Sequence, residues 1–78
     1  MRKKEILQFN IIYKYRTIRG ISRKRLAEHC GLTVSAVQCW ESGKRAPRGV
    51  HLAKVHELLR FSEAHLSMLA LGGSFETV

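Results

Sequence analysis

Few residues in this sequence are spaced for covalent or metal chemistry. Cys30 and Cys39 lie nine positions apart, without a Cys-x-x-Cys or a His-x-x-x-His partner. A zinc site assembled from His29, Cys30 and Cys39 is therefore disfavoured, and both thiols read as reduced cysteines of an intracellular protein. Cys30 reads as a small core residue, whereas Cys39 is open to two readings, a solvated thiol or a contact residue. His29, His51, His56 and His65 read as surface residues. No nucleophile, base and oxyanion-stabilising group form a recognisable set, so an enzyme is not expected, nor is a cofactor or a metal. What the sequence does carry is positive charge: fourteen Lys and Arg against six Glu, a formal net charge of +8. Its placement is uneven. Residues 1–48 hold twelve of the basic groups and three of the acids, while residues 49–78 hold two and three. A polyanion is the natural partner of the first part, and the near-neutral remainder should serve another purpose.

Short elements must position that charge. Seventy-eight residues make one domain, which buries only roughly 60% of its unfolded surface. The 45% of hydrophobic residues suffices for a core without metal or disulfide. No apolar run approaches the ~18 residues of a membrane span, and no cleavage site follows the mixed basic and apolar start, so no membrane partner and a cytoplasmic location are expected. Pro47 and six glycines divide the chain into five helical lengths. The first, about Lys3 to Arg19, carries Ile6, Phe9, Ile12, Tyr13 and Arg16 at i, i+3, i+4 spacing, although Ile11 and Tyr15 leave the buried face open. Ser22 can cap a second helix through Cys30, with Leu26, Ala27 and Cys30 inward. Thr33 can cap a third to about Ser42, with Val37 and Trp40 inward. After Pro47 and Gly49, a fourth places Leu52, Val55, Leu58 and Leu59 on one face. Ser62 caps the fifth, Leu66 and Leu69 point inward, and Gly72-Gly73 ends it. Nothing reads as an internal strand, while the tail "SFETV" could add one at the terminus. The expected fold class is all-α.

The stretch "LAEHCGLTVSAVQCWESGK", Leu26 to Lys44, sets small residues at fixed offsets. Two helices joined by a tight turn pack closely only where a small side chain lets the backbones approach, and Ala27 is placed for that. Four residues on, Gly31 ends the second helix at a position that needs positive φ. Leu32 and Val37 fill the wedge. Ala-x-x-x-Gly-x-x-x-x-x-Val is the packing signature of a helix-turn-helix.

The longer pattern "R-x-x-x-G-I-S-x-x-x-L-A-x-x-x-G-L-T-x-x-x-V-x-x-W-E-x-G-K-x-x-P", Arg16 to Pro47, resembles the Cro- and cI-type helix-turn-helix family of phage and bacterial repressors. The resemblance runs from the first helix to roughly Leu69. It implies a compact five-helix, lambda-repressor-like domain over residues 1–71, with 72–78 as a tail contributing to a dimer contact. It also implies an inward salt bridge between Arg16 and Glu41, which makes Glu41 structural. The same resemblance assigns the DNA surface. Thr33, Val34, Ser35, Gln38 and Cys39 fall at the start and on the outer face of the recognition helix, where side chains meet base edges in the major groove. Gln38 is the strongest hydrogen-bonding reader. Ser22 and Arg23, at the start of the second helix, are implied to meet phosphate, and Lys44, Arg45 and Arg48 to clamp the next phosphates. Arg48 follows Pro47, as an arginine does in some phage repressors that probe a narrow minor groove, although the Gly43–Pro47 loop is one residue shorter here.

The function so implied is a sequence-specific repressor, of phage or prophage origin, that binds operator DNA as a homodimer. Phe61, Leu66, Met68, Leu69 and Phe75 are expected to supply the dimer contact. The length leaves no room for a sensor domain and favours a Cro-like repressor. Two alternatives remain at this point. One is an antitoxin of the same fold that binds a toxin and autoregulates its operon. The other is a membrane-active basic peptide, which leaves Gly31, Glu41 and the capped helices unexplained. The helix 4 exit departs from the family pattern, with Arg60 where a glycine is common.

Overall fold

The structure is a computed structural model that describes residues 8–77, with only the backbone described for Gln8, Phe9 and Thr77. Five helices follow in order: α1 Ile11–Arg19, α2 Arg23–Cys30, α3 Val34–Ser42, α4 Val50–Leu59 and α5 Glu63–Ala70. None exceeds ten residues. Helices this short are marginal on their own in water, so burial of their apolar faces must hold them. Four begin with a side-chain cap: Asn10, Ser22, Thr33 and Ser62 each accept a hydrogen bond from the backbone N–H three residues on. The first three end in glycines with positive φ, at Gly20, Gly31 and Gly43.

The α2–α3 turn is the three residues Gly31-Leu32-Thr33. Gly31 sits at φ 72°, and Leu32 N–H donates to the Ala27 carbonyl at 2.9 Å, closing a Schellman turn. Ala27 and Val37 are buried at the crossing, as the spacing predicts.

Before α1, the short strand β1 (Gln8–Asn10) pairs antiparallel with β2 (Phe75–Thr77), in the register Gln8 to Thr77 and Asn10 to Phe75. The helix expected from Lys3 therefore begins only at Ile11. Asn10 ends the strand at φ −71°, ψ 126°, and its side chain accepts from Tyr13 N–H. The tail does form the strand that "SFETV" allows. Residues Arg2, Lys3, Lys4 and Ile6 lie outside the described residues.

The core is Ile11, Ile12, Leu26, Ala27, Cys30, Val37, Trp40, Val55, Leu59, Phe61 and Leu69. The open question over α1 is thus resolved: Ile11 and Ile12 face inward and Tyr13 faces out. Phe61 and Leu69, expected to meet a second copy, are instead buried in this core, so neither is available as dimer surface. Burial pushes the Cys30 thiol up, the nearby Lys54 charge opposing it.

Arg60 ends α4 at φ 55°, so an arginine does occupy the left-handed position. Arg19 compensates from another helix: its Nε and Nη2 donate to the carbonyls of Leu59 and Arg60 at 2.8 and 3.0 Å. The imidazole of His56 accepts from Phe61 N–H at 3.1 Å and stacks on the Phe61 ring. His65 hydrogen-bonds the Tyr15 hydroxyl through Nδ1, 2.7 Å, and Glu76 of β2 through Nε2, 2.7 Å. His56 and His65 are therefore half-buried structural partners, not the free surface residues their spacing suggested.

Candidate nucleic-acid interface

The region begins with a buried carboxylate. Glu41 lies near the end of α3 with only 6% of its side chain exposed. Its Oε2 accepts from Arg16 Nε at 2.6 Å, and its Oε1 from Arg23 Nε at 2.9 Å. Arg16 also donates to the Ile21 carbonyl at 3.1 Å, which binds the entry of α2 to the same cluster. Two guanidiniums on one carboxylate leave a local charge of +1, and α1, α2 and α3 are fastened at one point. Arg23 is 43% exposed, far more than Arg16.

Around α3 the sequence-assigned residues fall into three places. Ser22 and Thr33 act as N-caps of α2 and α3, their hydroxyls accepting from Arg25 and Ala36 N–H. Val34, Ser35 and Gln38 are exposed, and Cys39 is half-buried with its carbonyl accepting from Arg45 N–H. Successive helical residues step by about 100°. Ala36 and Trp40 therefore share one flank of α3, and Gln38, Glu41 and Ser42 the other.

Each flank carries a hollow. Beside Ala36 and Trp40, a hollow of about 500 Å³ gathers Lys44, Arg45 and Arg48 with His51. Beside Gln38, Glu41 and Ser42, a cleft of about 380 Å³ is walled by Arg23, Tyr13 and Phe75. The exposed strip of α3 lies between two cationic flanks. Sequence reasoning put Tyr13 in the periodic face of the first helix and Phe75 in a dimer contact, and set neither beside the third helix. Phe75 reaches the cleft only through the β1–β2 pairing, and no local pattern signals that.

Asn10 reinforces the arrangement from beneath. Its Nδ2 donates to the Trp40 carbonyl at 2.9 Å. Phe75 packs on the α3 C-cap, where a Cβ on Gly43 would meet the Phe75 ring at 2.5 Å. Gly43 at φ 84° thus serves both a left-handed cap and a close ring approach.

A family model described as helix-turn-helix matches residues 12–66, which is most of the chain. The chain belongs to the XRE-type helix-turn-helix family. Comparison with curated proteins and with solved structures returned no match. The matched span runs from the buried Ile12 to Leu66, so it covers α2, α3 and α4 entirely, nearly all of α1 and the first half of α5. This XRE-type domain is a DNA-binding transcriptional regulator, and its family is not one of enzymes. Among the described residues no helix is long and apolar enough to cross a membrane.

Proposed function

We propose that this XRE-type domain is a sequence-specific repressor, of the Cro-like phage or prophage kind, that binds operator DNA as a homodimer. One observation carries the reading: the outer strip of α3 is exposed between two flanks that each hold cations. A helix in the major groove has a sugar-phosphate backbone on either side, so base-reading and phosphate-holding groups are required in this order. In this reading Gln38 reads a base edge, with Ser35, Val34, Thr33 and Cys39 completing the apposed surface. Lys44, Arg45 and Arg48 hold one backbone. Ser22 and Arg23 hold the other.

The dimer contact in this reading lies on the α4–α5 side, not at Phe61 and Leu69. There an apolar hollow of about 800 Å³ is lined by Leu52, Ala53, Leu66 and Ala70, and Leu71 beside it is 88% exposed. In a homodimer of this kind the two recognition helices enter successive major grooves on one face of the duplex. Half-sites would lie about 34 Å apart, one turn of DNA. Occupying a promoter in this way excludes polymerase.

Selection of bound duplexes from a random pool tests the reading. A pseudo-palindromic consensus is expected, with Gln38→Ala relaxing preference at one symmetric pair of positions. Recovery of unselected sequence, with binding indifferent to duplex sequence, would overturn it.

A further inference from the structure

We infer that the cleft between Tyr13, Arg23, Gln38, Ser42 and Phe75 is a binding site for one DNA phosphodiester and its deoxyribose. This extends the interface onto α1 and the C-terminal strand. The inference rests on the proposed function, and it adds Tyr13 and Phe75, which neither the family resemblance nor the charge pattern assigns to DNA.

Three observations support it together. First, the cleft adjoins Gln38 on the flank of α3 opposite Lys44, Arg45 and Arg48. A duplex straddling α3 brings its second backbone to this side. Second, the electrostatics suit a single anion. The Glu41 carboxylate in the cleft is occupied by the Nε atoms of both Arg16 and Arg23, and it holds the Arg23 guanidinium in place. Only the Nε of Arg23 is engaged in that anchor, and its side chain is 43% exposed, so a guanidinium fork with further donors is held at the cleft. Third, the walls are aromatic and open. Tyr13 is 48% exposed with the Arg16 guanidinium 5.3 Å from its ring centre, and Phe75 is 37% exposed. A deoxyribose is apolar on its ring face, while its phosphate demands a charged donor. An aromatic wall beside an anchored arginine matches both halves of a nucleotide backbone unit.

Arg23 acts here as the phosphate donor, Glu41 as its positioning residue, and Tyr13 and Phe75 as the sugar-facing walls. Phe75 is delivered by β2, so the ribbon that closes the fold also completes the DNA grip.

The experiment uses the full chain and its selected duplex, with Arg23→Gln, Tyr13→Leu, Phe75→Leu and, as a control on the other flank, Arg48→Gln. Binding is measured against salt concentration, and each flanking phosphate is replaced singly by a neutral methylphosphonate. Arg23→Gln should flatten the salt slope by about one unit. It should also be non-additive with one methylphosphonate only, the one apposed to the cleft. Tyr13→Leu and Phe75→Leu, which remove the aromatic walls, should each weaken binding roughly three- to tenfold without altering which bases are preferred. Melting temperatures separate a lost contact from a lost fold.

If Arg48→Gln flattens the slope while Arg23→Gln is additive with every methylphosphonate, the cleft does not hold a phosphodiester, although the DNA-binding reading stands. If inorganic phosphate protects the cleft while Arg23→Gln leaves DNA affinity unchanged, the site is for a small free anion and the inference fails. Absence of duplex binding by the unaltered chain would overturn the functional reading itself.

Discussion

Asn10 and Trp40, thirty residues apart, share a buried hydrogen bond of 2.9 Å that joins the start of α1 to the end of α3. The other side of the same amide accepts from Tyr13 N–H at 3.0 Å. One small side chain thus caps one helix and satisfies a carbonyl of another, a task that needs both a donor and an acceptor.

That dual role predicts an ordered series. Asn10→Asp keeps the capping acceptor and loses the donor, leaving the Trp40 carbonyl unpaired, for a destabilisation of about 1–3 kcal/mol. Asn10→Ala loses the cap as well and should cost about 2–4 kcal/mol. Urea unfolding of the two variants checks this. Equal midpoints for both variants and the parent would show that the bond contributes nothing.

The two arginines on Glu41 should differ sharply. Glu41→Gln leaves Arg16, 13% exposed, without its carboxylate, and should destabilise by about 2–4 kcal/mol. Arg23→Gln should cost less than about 1 kcal/mol, because that ion pair is open to water on one side. Thermal unfolding of the two variants decides it, and comparable losses would mean that Arg23, like Arg16, is structural.

Arg60 offers a gain. Its φ of 55° is strained for any residue with a Cβ, whereas its only described cross-helix bond uses the backbone carbonyl. Arg60→Gly should therefore stabilise by about 1 kcal/mol and raise the melting temperature by roughly 4–8 °C. A lower melting temperature would show that the side chain contributes more than the strain costs.

Acid should loosen the ribbon. The hydrogen bond from His65 holds the Glu76 carboxyl below its ordinary value, helped by the His65 and Lys14 charges. A carboxyl with a depressed folded-state value contributes stability above its unfolded value, roughly 4.3. That contribution fades as pH falls from there through the folded value. Hydrogen exchange at Ile11, whose amide donates to the Ser74 carbonyl at 2.8 Å, should quicken relative to α2 amides over this interval. Glu76→Gln should abolish that pH dependence. Persistence of it in the variant would assign the effect to another carboxylate.

The helix-turn-helix was legible because its determinants are local. Ala27, Gly31, Ser22 and Thr33 act within a few residues of themselves, so spacing alone reveals them. Arg16–Glu41 spans 25 residues, and only the family resemblance placed it. Asn10 carried a readable signal, an N-cap residue before an apolar run, yet the preceding Ile6 and Phe9 fit a helical period and obscured the boundary. The second guanidinium on Glu41, Arg19 at the exit of α4, and Phe75 against Gly43 left no local trace. Each depends on a meeting across tens of residues that only the assembled tertiary structure specifies.

The antiparallel pairing of residues 8–10 with 75–77 has a consequence for synthesis on the ribosome. The helical hairpin of α2 and α3 can form as soon as it leaves the exit tunnel, because its contacts are close in sequence. The Phe75 ring that packs against Gly43 at the end of α3 arrives some thirty residues later. A nascent copy can therefore hold the helical hairpin before residues 75–77 emerge to close the ribbon.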